Sequence, residues 1–456
     1  DGDGDQDLII VAPGHGSATG VVDHGAAYLF YGPITANTDL NSADWWVYGS
    51  GSGDGLGGGV VGIADISGDG YDDFLVGAPY DGSDNGEMLL YLGSATQRSG
   101  YVASHTTFSS GGYYGRIYGT ESRDFLGLHG AHAIGDIDND GIVDLGAWFA
   151  YNDDSGNNNN GSALLLLSDS VSLTGGAWNA IGATDVNGQA TYGYSGEVQG
   201  TGDVDGDGID DMLIGASNPS WAGAAPAVHF VEGGQALLTA GGSVDIASVY
   251  NSQYLEHSSL GAGSGFSVGG GGDINGDGYA DMVMKDNYAY DTLGNQVGHV
   301  YIVLGSTSVP GNNTIDNVYD LMIEGDLPSS TSGKTRFGET AALTHDRDRD
   351  GIYEDFDGDG DADLVVGQND GADGGVFVFF SGSLQDDLTA GVTNLVSEDD
   401  ADAILRQPNN DDEARDIAIG DLDGDGSSDL IVGAGNYDAG GTTATGGVWV
   451  VQGTLE

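Results

Sequence analysis

The chain contains no cysteine, so neither disulfides nor thiolate metal sites can fasten it. Cations are scarce as well: 10 Lys and Arg face 71 Asp and Glu, a formal net charge of −61. That balance argues against nucleic acid or an anionic membrane surface as a partner, because both attract basic patches. No apolar run approaches the ~18 residues needed to span a bilayer, so direct membrane insertion is not expected. No signal peptide stands at the start, and any export signal is expected outside these residues. Glutamate is rare too, with 11 Glu against 60 Asp. Aspartate disfavours helix interiors and suits turns and oxygen-ligand metal loops.

What the chain does have is a repeated acidic phrase. The pattern Asp-x-Asp/Asn/Ser-x-Asp-Gly-x-x-Asp occurs seven times, centred on Asp3, Asp69, Asp140, Asp207, Asp277, Asp359 and Asp425. These anchors lie 66, 71, 67, 70, 82 and 66 residues apart, a period that marks a repeat architecture. The repeats run at approximately 1–50, 51–118, 119–182, 183–255, 256–325, 326–406 and 407–456, within a single domain.

Each phrase is followed by a short apolar run: Leu8 to Ala12, Phe74 to Ala78, Leu145 to Trp148, Met212 to Ala216, Met282 to Met284, Leu364 to Gly367 and Leu430 to Ala434. A Gly-rich turn then leads to a third run, such as Met88 to Leu92 or Val376 to Phe380, and a more variable fourth, such as Trp45 to Tyr48. Runs of this length, β-branched and aromatic, bounded by Gly, Asp and Asn, predict strands. Four strands per repeat and seven repeats predict an all-β fold, a seven-bladed β-propeller of four-stranded blades. The acidic loops are expected between the first and second strand of each blade. Unbroken apolar runs fit strands covered on both faces. A β-solenoid would use shorter repeats, and a row of sandwiches longer ones. The chain begins inside the first loop and stops after the third strand of the last repeat. Both ends read as cut from a longer chain, so flanking domains or neighbouring chains are expected to supply the missing strands.

The phrase also reads as a metal loop. A hard cation such as Ca²⁺ takes six to eight oxygens at about 2.3–2.6 Å, and side chains at positions one, three and five of a tight loop converge on one point. Gly at position six permits the turn. A backbone carbonyl at position seven and the carboxylate at nine complete the shell. Full sets stand at Asp136, Asp138, Asp140 and Asp144; at Asp203, Asp205, Asp207 and Asp211; and at Asp421, Asp423, Asp425 and Asp429. Loop two has Asp65, Ser67, Asp69 and Asp73, and loop five has Asp273, Asn275, Asp277 and Asp281, each one charge short and expected to bind more weakly. Loop one keeps Asp1, Asp3 and Asp7. Loop six offers Asp355, Asp357, Asp359 and Asp363, with a preceding set at Asp346, Asp348, Asp350 and Glu354 that could hold an extra ion. An EF-hand is rejected, because it needs a Glu at position 12 and flanking helices, and here a strand follows position nine at once. Empty, such loops would repel severely, so about six or seven Ca²⁺ ions are expected. A calcium-poor cytosol would leave them unfilled, so the expected address is extracellular, secreted or at the cell surface.

The loops, Phe337-Gly338 and Val76-Gly77-Ala78-Pro79 resemble the FG-GAP repeat, which builds the propeller head of integrin alpha subunits and many bacterial surface and secreted proteins. The low Lys and high Asp resemble the bacterial or archaeal members. The resemblance implies structural calcium loops and a protein or glycan ligand held on a propeller face by variable loops. Some units depart from the pattern: Gly-Ala-Pro is replaced by Gly146-Ala147-Trp148 in unit three and by Val283-Met284-Lys285 in unit five.

A catalytic constellation is missing. Gly265-Phe266-Ser267-Val268-Gly269 matches a hydrolase elbow by letter, but it sits at a strand position of the repeat, not between strand and helix. His129 and His132 are three apart in a predicted strand, so they face opposite sides. Trp45-Trp46, Tyr113-Tyr114, Tyr192/Tyr194 and Tyr288/Tyr290 could serve a sugar, but they do not recur from unit to unit and read mostly as core. Asn157 to Asn160 reads as a loop tip. The expectation is a non-enzymatic adhesion, ligand-binding or scaffold module, with a carbohydrate-binding or polysaccharide-processing secreted protein as the alternative.

Overall fold

The computed structural model describes the chain outside residues 17–23, 36–38, 50–52, 64, 82–84, 103–113, 119–124, 129–130, 150–161, 168–175, 179–183, 188–194, 217–225, 236–241, 246–247, 256–265, 327–334, 345–355, 369–374, 407–415, 426, 435–445 and 454–456. The described residues form seven small, mostly antiparallel sheets, one for each acidic phrase.

Two compact units divide the chain. The first comprises Asp1–Val198, Gly233–Val249 and Leu422–Gly424. Its sheet one is built from Leu8–Ala12, Ala26–Phe30, Trp45–Tyr48 and Gly100–Val102. Sheet two uses Val60–Ile63, Asp73–Ala78, Glu87–Tyr91, Gly115–Tyr118 and Gly176–Trp178; sheet three uses Ala131–Gly135, Asp144–Phe149, Ser162–Leu166, Thr184–Asn187 and Gly242–Asp245. The second unit comprises Gln199–Glu232, Tyr250–Asp421 and Asp425–Glu456. Sheet four joins Ser195–Gly202, Asp211–Ala216, Ala227–Val231, Ser252–Leu255 and Asn313–Thr314. Sheet five joins Phe266–Gly272, Asp281–Asp286, His299–Val303, Leu321–Glu324 and Asn394–Val396. Sheet six has Phe337–Leu343, Leu364–Gln368, Gly375–Phe379 and Ala403–Arg406, and sheet seven has Asp416–Gly420, Asp429–Ala434 and Gly447–Val451.

Blades of four strands are therefore too simple a description. Sheets two to five have five strands, and in each the fifth pairs in parallel with the fourth, as Gly176–Trp178 does with Gly115–Tyr118. Every added strand comes from the connection between the third and fourth strands of the following repeat. Sheet one gains its fourth neighbour the same way, with Trp45 paired to Gly100 and Val47 to Val102. These strands are two to four residues long, too short to show a period in the sequence.

The second strands are apolar without a break because alternate side chains enter different cores. In unit one, Phe74 and Val76 pack with Trp45, Val47 and Tyr91, while Leu75 packs with Leu90, Leu145 and Leu164. In unit two, Met282 and Met284 join Leu213 and Phe230, whereas Val283 joins Phe337 and Leu364. Each fully buried side chain of this kind contributes about 1.5–3 kcal/mol. Two glycines explain the motif that names the pattern. A Cβ on Gly77 would lie 2.1 Å from the carbonyl oxygen of Gly127, so the end of one second strand accepts the next Leu-Gly pair only as bare backbone. By pairing register the counterparts of Gly77-Ala78 are Trp148-Phe149 and Lys285-Asp286, two residues later than the letters suggest.

Helix enters where the sequence announced none. Ser381–Ala390 is a ten-residue α-helix that ends at Gly391 (φ 77), whose N–H donates to the carbonyls of Asp387 and Leu388. It buries only Ser381 and Leu384, so its apolar stripe is too sparse for periodicity to find. Among the described residues no helix is long and apolar enough to cross a membrane.

Candidate metal centres

Over the described residues the acidic phrases fold into one kind of turn, held by backbone donors to their own carboxylates. The position-one carboxylate accepts from the N–H groups at positions five and six: Asp140 and Gly141 onto Asp136 (both 2.9 Å), Asp207 and Gly208 onto Asp203 (3.0 and 2.9 Å), and Asp277 and Gly278 onto Asp273 (3.1 and 2.8 Å). In loop two Asp69 and Gly70 do the same to Asp65, and in loop seven Asp425 donates to Asp421. The position-three oxygen takes a bond from the position-five N–H, at 3.2 Å on Asp138, 3.0 Å on Asp205 and 2.9 Å on Asn275. Loops one and six repeat it, with Asp3 donating to Asp1 and Asp359 to Asp357. The position-five carboxylate then accepts from position seven, as Asp207 does from Ile209 at 2.9 Å. Gly208 at position six has φ 90, a backbone that L side chains rarely adopt. Position four is left-handed as well: Gly206 has φ 78, and Asn139 fills that place in loop three with φ 61. Gly holds position four in six of the seven phrases, a signal for this turn that the sequence itself carries.

Position nine plays a different part. Asp144, Asp281, Asp363 and Asp429 are fully buried, and Asp73 and Asp211 are 1 % exposed. One oxygen accepts the N–H of position two, from Ile137 to Asp144, Val204 to Asp211, Ile274 to Asp281 and Phe356 to Asp363, at 2.8–3.0 Å. The other accepts the N–H just beyond the third strand: Gly93 to Asp73, Gly305 to Asp281, Ser381 to Asp363, Gly453 to Asp429 and Gly32 to Asp7. This side chain thus staples loop, second strand and third strand together. The motif gives no hint of that partner, which lies about 20 residues away.

Burial raises the pKa of Asp73 and Asp281 to about 7, with neighbouring carboxylates adding to the shift against backbone donors. Burial also raises Asp205 and Asp273. Glu232, which was not anticipated, is raised by burial and by Asp205 and Asp207, so it stands within electrostatic reach of loop four.

Three loops bring carboxylate oxygens within 4.8 Å of one another: Asp136, Asp138 and Asp144; Asp203, Asp205 and Asp211; and Asp421, Asp423 and Asp425. Oxygens on opposite sides of a Ca²⁺ ion lie about 4.6–5.2 Å apart, so an all-oxygen set of this size fits a hard cation. Asp140, Asp207 and Asp429 lie in the same loops outside those triplets. Loops two and five place Ser67 and Asn275 where the third carboxylate stands elsewhere, with Ser67 Oγ donating to Asp65 at 3.1 Å. Asp355 and the earlier set of Asp346, Asp348, Asp350 and Glu354 lie outside the described residues. In loop six both oxygens of Asp359 accept from Ser381 Oγ, at 3.0 and 2.9 Å. Gln385 donates to Asp361 at 2.8 Å, so the helix after the third strand braces this loop alone among those described.

The other sequence candidates scatter. Trp45 is 2 % exposed and packs edge-on to Tyr91, with the Arg98 guanidinium 5.6 Å from its ring centre. Trp46, Tyr114, Tyr288 and Tyr290 are half-buried, and Arg336 sits 5.2 Å over Tyr288. Ser267 lies within a strand opposite Lys285. Tyr113, Tyr192, Tyr194, His129 and Asn157 to Asn160 lie outside the described residues.

Comparison with known proteins finds the FG-GAP repeat at two positions, residues 57–91 and 414–451. These are the first three strands and loops of sheets two and seven. The repeat points to a propeller-type ligand-binding or scaffold module. No curated protein matches the chain. Among solved structures the chain is similar to one described as the crystal structure of BBS1N in complex with ARL6DN, soaked with lead. The identity is 13 %, the TM-score 0.27, and the match spans 56 % of this chain and 55 % of that one, just over half of each.

Proposed function

We propose that the chain is an extracellular, calcium-stabilised module of seven propeller blades, an adhesion, ligand-binding or scaffold protein and not an enzyme. The observation that carries this reading is the common fold of the acidic loops, in which carboxylates converge beside a buried position-nine Asp. About six or seven Ca²⁺ ions neutralise these clusters. Asp136, Asp138 and Asp144, and their counterparts in the other loops, supply the oxygens, and the ion provides positive charge where the chain has almost none. Binding energy then becomes folding energy: at 1–10 times Kd each site adds about 0.4–1.4 kcal/mol. Millimolar extracellular calcium fills such sites, since modules outside the cell bind with Kd of roughly 10⁻⁴–10⁻³ M.

The ligand is a protein or glycan held on a face of the blades by loops that vary between repeats. Calcium titration by calorimetry, counting ions per chain, tests the metal reading; fewer than three ions would overturn it. Screening glycans and matrix proteins with and without chelator tests the binding role. Turnover of any polysaccharide would replace it with the carbohydrate-processing alternative.

A further inference from the structure

Within unit two the acidic loops touch one another at fixed positions. The position-eight N–H of one loop donates to the position-one carbonyl of the loop before it: Ala280 to Asp203 at 3.0 Å, and Ala362 to Asp273 at 2.9 Å. Loops four, five and six are thereby joined in series. A side-chain contact accompanies each link. A Cβ on Gly206, position four of loop four, would collide with the ring of Tyr279, position seven of loop five. On Gly276, position four of loop five, it would lie 2.8 Å from both carboxylate oxygens of Asp361, position seven of loop six. Unit one repeats the arrangement, where a Cβ on Gly2 of loop one would lie 2.7 Å from the Tyr71 ring of loop two. Gln385 ties loops five and six once more, its Nε2 standing 2.8 Å from Asp361 Oδ2 and 3.3 Å from the Ile274 carbonyl.

The backbone links run from one ligand set to the next. The Ala280 N–H belongs to the same planar peptide as the Tyr279 carbonyl, the position-seven ligand of loop five. The carbonyl it reaches, that of Asp203, shares its peptide with the Val204 N–H, which donates to Asp211 Oδ2 at 2.9 Å. Asp211 is the position-nine ligand of loop four. Two peptides in series thus connect the ligands of adjacent loops. The same path leads from the Asp361 carbonyl through Ala362 N–H, the Asp273 carbonyl and Ile274 N–H to Asp281 Oδ2. A cation on the first carbonyl polarises its peptide, strengthens each hydrogen bond along the path and fixes the carboxylate at its end.

We propose, resting on the calcium reading above, that adjacent loops bind their ions with positive cooperativity, loops four, five and six acting as one set. Loop five is one carboxylate short, with Asn275 at position three. It fills with help from loop four, whose Asp203, Asp205 and Asp211 oxygens already converge within 4.8 Å. A loop ordered by its neighbour spends less of its binding energy on ordering itself. The set then responds to calcium over a narrower range than independent sites do.

Hydrogen–deuterium exchange of the full chain across a Ca²⁺ titration reads each loop as its own peptide. Loops four, five and six should gain protection together, with Hill coefficients above 1. Asp277→Asn keeps an oxygen for the Tyr279 N–H and should raise the calcium midpoints of loops four and six at least about fivefold. Loop two, in unit one, should keep its midpoint. Asp207→Asn should shift loop five in return, because coupling is reciprocal. If Asp277→Asn fails to fold by circular dichroism, Gln385→Ala decides. It removes no ion ligand, and should lower the Hill coefficients of loops five and six toward 1. Calcium-protected loops with Hill coefficients of 1, midpoints of loops four and six unmoved by Asp277→Asn, or a loop-two midpoint moved by the same factor overturn the cooperativity alone. Exchange that ignores Ca²⁺ in every loop overturns the calcium reading and the cooperativity together.

Discussion

Where the second strand of sheets two to seven begins, one side chain repeats: Asp73, Asp144, Asp211, Asp281, Asp363 and Asp429 are all buried at the same point of the turn. Where that strand ends, the paired residues change from sheet to sheet. Ala12 faces Ala26, Ala78 faces Glu87, Asp286 faces His299, and Gln368 faces Gly375. The first end is built to one electrostatic plan. The second carries polar groups peculiar to single sheets, such as His299, whose Nε2 stands 3.4 Å from Glu324. Chemistry is uniform at the first end and individual to each sheet at the second.

The largest effect expected from that contrast comes from chelation. EGTA should lower the melting temperature by about 3–10 °C, because six or seven sites each contribute about 0.4–1.4 kcal/mol at millimolar calcium. Calorimetry checks it, and an unchanged transition would break the comparison at its uniform end. Asp281→Ala should cost about 2–5 kcal/mol in urea unfolding even with chelator present. It strands the N–H groups of Ile274 and Gly305 in a buried place, whereas Asp205→Asn, half-buried and still able to accept from the Asp207 N–H, should act mainly through calcium.

The pH dependence follows from the buried carboxylates. Asp73 and Asp281 have folded pKa values raised from 3.8 to about 7. In chelator their contribution is complete below about pH 4 and is lost as pH rises through about 7. With Ca²⁺ present the sign reverses, since the ion binds the deprotonated form and protons compete with it. The gap in melting temperature between calcium and EGTA should therefore widen from pH 4 to 7. The smallest effect belongs to the variable end: Glu324→Gln should shift stability by under about 1 kcal/mol and leave the calcium midpoint where it was.

Much of this was readable in one dimension because it is local. The acidic phrase, the strand after it and the strand beyond obey short-range rules of turn chemistry and alternation, and the structure places Leu8–Ala12, Leu364–Gln368 and Gly375–Phe379 within a residue of expectation. The parallel strand Asn394–Val396 was not readable, since three residues carry no period and its pairing partner Leu321–Glu324 lies about 70 residues back. The helix Ser381–Ala390 escaped because its first residue is held by Asp363 and Asp359 from earlier in the chain, while Leu384 is the one apolar residue it fully buries.

Composition and spacing alone determined that the chain repeats, that its repeats are strands, and that acid rather than sulfur gathers at each turn. Only the folded chain decided which acid is buried and which backbone donor reaches it. Those outcomes depend on groups far apart in the chain meeting where water is excluded, and no local pattern records such a meeting.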